Sequence, residues 1–121
     1  MSSAQNRLSP PLDLPGPSLE ARLDVRDGTL HLAGALDLHT VPGFHAAVSR
    51  LLDEARRRWV IDVEGLHSCD VAGLRALSTA YRRTLVRGRR VVVMGAPPWL
   101  CRALKTLRLD AHLLEDGEST G

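Results

Sequence analysis

Cys69 and His67 come nearest, by type and spacing, to catalytic chemistry. Cys69 stands just before a helical pattern, where the positive end of the helix dipole favours a thiolate. Helix amides could then take the oxyanion role. His67 lies two residues earlier. In extended chain, positions 67 and 69 point to the same side, but that guarantees no contact and implies no pocket. Cys is among the most often buried residue types, so a structural Cys69 is the better reading. A phosphoaspartate receiver would need an acidic pair after the first strand and a Lys after the last buried strand. The only Lys, Lys105, falls inside a helical pattern, and Asp62 falls inside a strand pattern rather than at its end. That reading is rejected. His31, His39, His45, His67 and His112 lack the spacings of helical or finger metal sites. Neither a P-loop nor a GxGxxG loop is present. No enzyme activity, metal or cofactor is expected.

The elements that must position any site are legible from periodicity. Leu19, Ala21, Leu23 and Val25 alternate with Glu20, Arg22, Asp24 and Arg26, the period of a half-buried strand. Asp27-Gly28 follows, then Leu30 and Leu32 resume the alternation, which predicts a hairpin. Thr40 can cap a helix with Pro42 in its first turn and with Val41, Phe44, Val48, Leu51 and Leu52 on one face, ending near Arg56 to Arg58. Trp59 to Val63 reads as a central strand covered on both faces. Asp70 caps a second helix with the stripe Val71, Leu74, Leu77, Tyr81 and Leu85, stopped by Gly88. Val91 to Met94 is the next buried strand. Pro97-Pro98 opens a third helix with the stripe Leu100, Leu104 and Leu107. Ala111 to Leu114 reads as a short edge strand. The expected fold class is α/β: a small mixed sheet, antiparallel at its start and then parallel, packed with about three helices.

Composition bounds the function classes. The chain has 121 residues, 44% hydrophobic and 25% charged, enough for one domain with a real core. Aromatic residues make up only 3%, which argues against base stacking, and a net charge of +2 gives no field aimed at nucleic acid. No apolar run reaches the length of a membrane span, so no membrane insertion is expected. Two cysteines make no disulfide framework and suit a reducing, cytoplasmic setting. Residues 1–18, with Pro10, Pro11, Pro15 and Pro17, read as a flexible leader, residues 19–114 as the folded domain, and residues 115–121 as a flexible tail. The edge from Leu19 to Val25 could pair with another chain or stay covered, so oligomeric state is left open.

Two turns remain, each leading from a strand into a helix: Gly34 to Thr40 and Leu66 to Leu74. In open α/β sheets that rim is where ligands and partners bind. Small residues in the first helical turn, Ala72 and Gly73, would let another surface come close. Equally, Asp70 and Thr40 could be caps only, and Gly73 only a packing point.

The two turns carry a resemblance to STAS domains, and specifically to the bacterial anti-sigma factor antagonists. Gly34-Ala35-Leu36-Asp37 resembles that family's G-x-L-D turn, and Asp70-Val71-Ala72-Gly73-Leu74 stands where it has D-S-S/T-G-L. Trp59 to Val63, Gly88, Val91 to Val93 and the helix around Leu100 to Leu107 follow in the family's order. The resemblance implies a protein that binds an anti-sigma factor, often a serine kinase with an ATP-binding domain, and so frees a sigma factor. In the family that kinase phosphorylates the second hydroxyl residue of the turn. Here Ala72 occupies that position and Val71 the one before it, so the switch is not expected to operate. Ser68, the nearest hydroxyl, lies on the strand side of the turn. Asp37 and Asp70 match positions the family retains. Asp37, His39, Thr40, Asp70, Val71, Ala72, Gly73 and Arg75 are the expected partner-binding residues. STAS domains without the serine also serve as subunits of other assemblies, such as an ABC-type lipid-transport complex, and that is the alternative function.

Overall fold

In a computed structural model of the chain, residues 18–108 and 113–114 are described. The expected leader and tail, apart from Ser18, lie outside them. The elements are strands β1 (Leu19–Asp24) and β2 (Thr29–Leu36), helix α1 (Val41–Leu52), strand β3 (Arg58–Cys69), helix α2 (Val71–Val86), strand β4 (Arg90–Met94) and helix α3 (Pro98–Thr106). The four strands form one sheet in the order β1-β2-β3-β4. β1 and β2 are antiparallel, and β3 and β4 continue in parallel. The mixed α/β fold expected from the sequence is the one observed.

Alternation decides which sheet face meets the helices. Leu30, Leu32, Ile61, Val63, Val91 and Val93 point into the core, with Trp59 and Phe44 fully buried among them. Burying side chains of this size contributes roughly 1.5–3 kcal/mol each. α1 supplies Phe44, Val48, Leu51 and Leu52, as its periodicity predicts. Two crossovers stepping in the same direction across the sheet place α1 and α2 on one face, where they touch each other. On the other face His31 and Asp62, register partners on β2 and β3, form a half-exposed pair 3.0 Å apart. Val92 is buried as well, so β4 is covered on both sides.

Several boundaries differ from the sequence reading. The hairpin loop has four residues rather than two. Asp24 pairs with Thr29, and the Asp24 carboxylate accepts the Asp27 N–H while Gly28 sits at φ 70°. The Asp24 carboxyl is held below its usual range by that backbone hydrogen bond. α1 ends at Leu52, capped by Asp53, and not near Arg56 to Arg58. β3 runs on to Cys69, six residues beyond Val63. Its pairing with β2 slips twice, between His31 and Ala33 and between Gly34 and Ala35, each time leaving an extra residue on β3. These bulges break the period of two that a sequence reading follows. At its start β3 is covered on one face only: Trp59, Ile61 and Val63 are buried, Val60 and Asp62 half-buried. Of the expected edge strand, Ala111 and His112 lie outside the described residues, and Leu114 makes a single parallel bridge to Val93. No helix among the described residues is long and apolar enough to cross a membrane.

Candidate functional site

The two turns come together at the ends of β2 and β3, and Asp70 joins them. As the N-cap of α2, its Oδ1 accepts the Gly73 N–H at 2.9 Å, the capping role its residue type predicts. Its Oδ2 accepts the Leu38 N–H from the other turn at 3.3 Å. Its own N–H donates to the Leu36 carbonyl at 3.2 Å. One residue thus ends a strand, starts a helix and fixes the neighbouring turn.

Asp37 organises the other turn from within. Its Oδ1 accepts the His39 N–H at 2.9 Å and the Thr40 N–H at 3.1 Å. Thr40 stands at the N-cap position of α1, but its hydroxyl caps no helical amide. Instead Oγ1 accepts the Asp37 N–H at 2.9 Å and donates to the Ala35 carbonyl at 2.9 Å. Thr40 therefore closes the turn that Asp37 shapes.

Gly73 is buried beneath this junction. A Cβ there would lie 2.3 Å from the Leu36 carbonyl oxygen and 2.8 Å from the Cys69 sulfur. Only glycine lets α2 start this close to the end of β2. Gly73 thereby sets the spacing of the two turns and offers no side chain to a visitor. Cys69 is half-buried, and its thiol donates to the Asp70 carbonyl at 3.7 Å. Burial, reinforced by the Asp70 and Asp37 carboxylates, pushes the Cys69 pKa up to about 12. The helix N-terminus does not win here, and the thiol stays protonated, which works against a thiolate nucleophile. Among the described residues no group of three or more His, Cys, Asp or Glu could hold a metal ion.

Two large apolar side chains face outward among polar and charged ones. Val71 is 56% exposed and Leu38 69% exposed, and the hydrogen bond between the two turns sets them on one rim. Ala72 is half-buried, while His39, Asp70 and Arg75 are exposed. Leu38 is the residue that sequence reasoning left out. An apolar side chain between Asp37 and His39, inside a turn of hydrogen-bonding residues, was the available signal: a large apolar group with no strand or helix face to bury it.

Comparison with known proteins fits this geometry. The family model described as Mlab, STAS domain matches residues 19–115. Among solved structures, the fold is similar to that of the anti-sigma factor antagonist SpoIIAA in its unphosphorylated form, at 18% identity and a TM-score of 0.61 over 82% of this chain and 88% of that one. It is similar also to an anti-sigma factor antagonist from Mycobacterium paratuberculosis, at 21% identity and a TM-score of 0.63 over 90% of this chain and 96% of that one. An antisigma-factor antagonist STAS domain from Rhodobacter sphaeroides shares 30% identity over 64% of this chain and 85% of its own, with a TM-score of 0.52. Comparison of the sequence with curated proteins finds no match. The mixed sheet, the order of its elements and the family match over nearly all of the described chain lead to one conclusion: the chain belongs to the STAS domain family.

Proposed function

We propose that the chain is a non-enzymatic, cytoplasmic binding protein, an anti-sigma factor antagonist whose docking face is the joined pair of turns. The partner is an anti-sigma factor with a kinase-like ATP-binding domain, and the contact residues are Asp37, His39, Thr40, Asp70, Val71, Ala72, Gly73 and Arg75, with Leu38 beside them. The observation that carries the reading is the head of α2, where exposed Val71 and half-buried Ala72 follow Asp70, which hydrogen-bonds to both turns. A phosphate in the middle of such a face would add nearly two negative charges that docking must desolvate. One solved relative is described in both unphosphorylated and phosphorylated forms. Here no hydroxyl stands at 71 or 72, so docking is permanent with respect to that modification.

Capture of the anti-sigma factor by wild type and by Ala72→Glu tests the reading. Wild type captures it and the variant does not. Incubation with the kinase and ATP leaves the affinity of wild type unchanged, whereas a modified protein that loses binding refutes the missing switch. Capture that survives Ala72→Glu removes the turn from the interface. A second reading, a STAS subunit of an ABC-type lipid-transport complex, draws on the same absence of hydroxyls and on the description of the matching family model. It predicts capture of the transporter's ATPase in place of an anti-sigma factor, with the same sensitivity to Ala72→Glu.

A further inference from the structure

The outer edge of β1 is explained neither by the core nor by the docking face. β1 is an end strand of the sheet, and among the described residues no strand pairs with its other edge. Edge strands are commonly blunted by shortness, bulges, proline or charge. β1 holds no proline, and its register with β2 runs from Leu19 to Asp24 without a slip. Only charge remains, and it is of both signs. Leu19 and Leu23 pack against the core, so Glu20 and Arg22 stand on the opposite face. Neither makes an ion pair among the described residues.

The backbone of this edge is directed outward. The Ser18 carbonyl accepts the Ala35 N–H at 2.8 Å. In an antiparallel ladder Glu20, Arg22 and Asp24 therefore spend their backbone groups on β2, and Leu19, Ala21 and Leu23 turn theirs away from it. Ala21 is exposed. On the helix-bearing face the space beside this edge is open. A groove of about 370 Å³ is lined by Leu19, Ala21, His39, Thr40 and Gly43, and a Cβ on Gly43 would meet nothing within 4 Å.

We propose that β1 pairs antiparallel with β1 of a second copy, about a two-fold axis at Ala21, so that one sheet crosses a homodimer. Two-fold pairing sets residue i against j and j against i. Centred on Ala21, it sets Glu20 against Arg22 of the second copy and Leu19 against Leu23 of the second copy, each twice. Leu19, Ala21 and Leu23 then form the hydrogen-bonded pairs, and Glu20 and Arg22 fall in the closer, non-hydrogen-bonded ones. Centred on Glu20 or on Arg22, the pairing sets a charge against its own copy, which is destabilising. Centred on Leu23, it needs Val25 and Arg26, which lie in the hairpin loop. Charge thus selects one register.

Sedimentation equilibrium of the full chain, with no other protein present, tests this. Wild type is expected to show a monomer–dimer equilibrium, with exchange of the Ala21 amide slowing as concentration rises. Arg22→Glu and Glu20→Arg each set like charges opposite one another in both pairs, and each is expected to weaken the dimer roughly tenfold or more. Mixed one to one, the two variants are expected to associate about as tightly as wild type, because every pair is again of opposite sign. Should either fail to fold, Ala21→Pro serves: it removes an outward N–H that β2 does not use, and it is expected to abolish the dimer. A chain monomeric into the millimolar range, a dimer that survives the substitutions, or a mixture of the two folded variants that does not associate would each overturn the proposal. So would Ala21 exchange that is slow at every concentration, the result expected if residues 1–17 occupy the edge.

Discussion

At Gly73 two effects oppose each other. Replacing a helical glycine by alanine gains about 1 kcal/mol of helix propensity. The added Cβ, however, meets the Leu36 carbonyl at 2.3 Å, and backbone cannot move aside as a side-chain tip can. Overpacking of this kind costs roughly 1–3 kcal/mol. Gly73→Ala therefore lowers stability, read as a lower denaturant midpoint at unchanged slope. A midpoint at or above wild type would mean that the two turns can separate freely. The same position shows what sequence could and could not supply. Asp70 as a cap was legible, because Asp before a helical stripe has one common local use, and it caps the Gly73 amide. That its second oxygen would reach the Leu38 amide, 32 residues away along the chain, was not legible, because nothing local encodes it. Thr40 shows the converse: a good capping type that spends its hydroxyl on the Asp37 amide and the Ala35 carbonyl.

At the scale of elements, α3 separates periodicity from burial. The stripe Leu100, Leu104 and Leu107 is regular, yet Leu100 and Leu104 are fully buried while Leu107, the C-cap residue, is 43% exposed. The helix runs off the edge of the core before its last stripe residue arrives. Leu104→Ala should cost about 2–5 kcal/mol through lost burial and a cavity, whereas Leu107→Ala should stay within roughly 0.5 kcal/mol. Equal losses in thermal melts of the two variants would contradict the observed packing. α2 repeats the lesson. Leu74 and Leu77 are buried as its stripe predicts, but Val71 and Leu85 at its two ends are exposed, while the small residues Gly73, Ala76 and Ala80 are buried and Gly73 lies against the end of β2. Small residues leave no mark in a search for large apolar ones. The stop of α2 was legible in full: Gly88 takes φ 72°, its N–H donates to the Leu85 carbonyl, and the Arg89 N–H donates to the Thr84 carbonyl.

At the scale of the molecule, α2 connects two surfaces of opposite character. Its first turn stands beside the exposed Leu38 and Val71, and its last turns wall the cleft lined by Arg57, Arg58, Arg89 and Arg90. Sixteen helical residues separate these ends by about 24 Å. The net charge of +2 conceals this division, because composition averages over both ends. Asp70 caps this helix at one end and Gly88 stops it at the other, and a helix standing as a rigid strut between two surfaces should not let them communicate. Coupling between sites requires an element with two states that each ligand biases differently, and it acts equally in both directions. Arg90→Gln at the far end should therefore leave partner affinity within roughly twofold, against the fivefold or larger shifts typical of allosteric pairs. Ala72→Glu, at the near end of the helix, should abolish docking. A shift above about fivefold in partner titrations of the Arg90→Gln variant would show that α2 moves as a switch rather than standing as a strut.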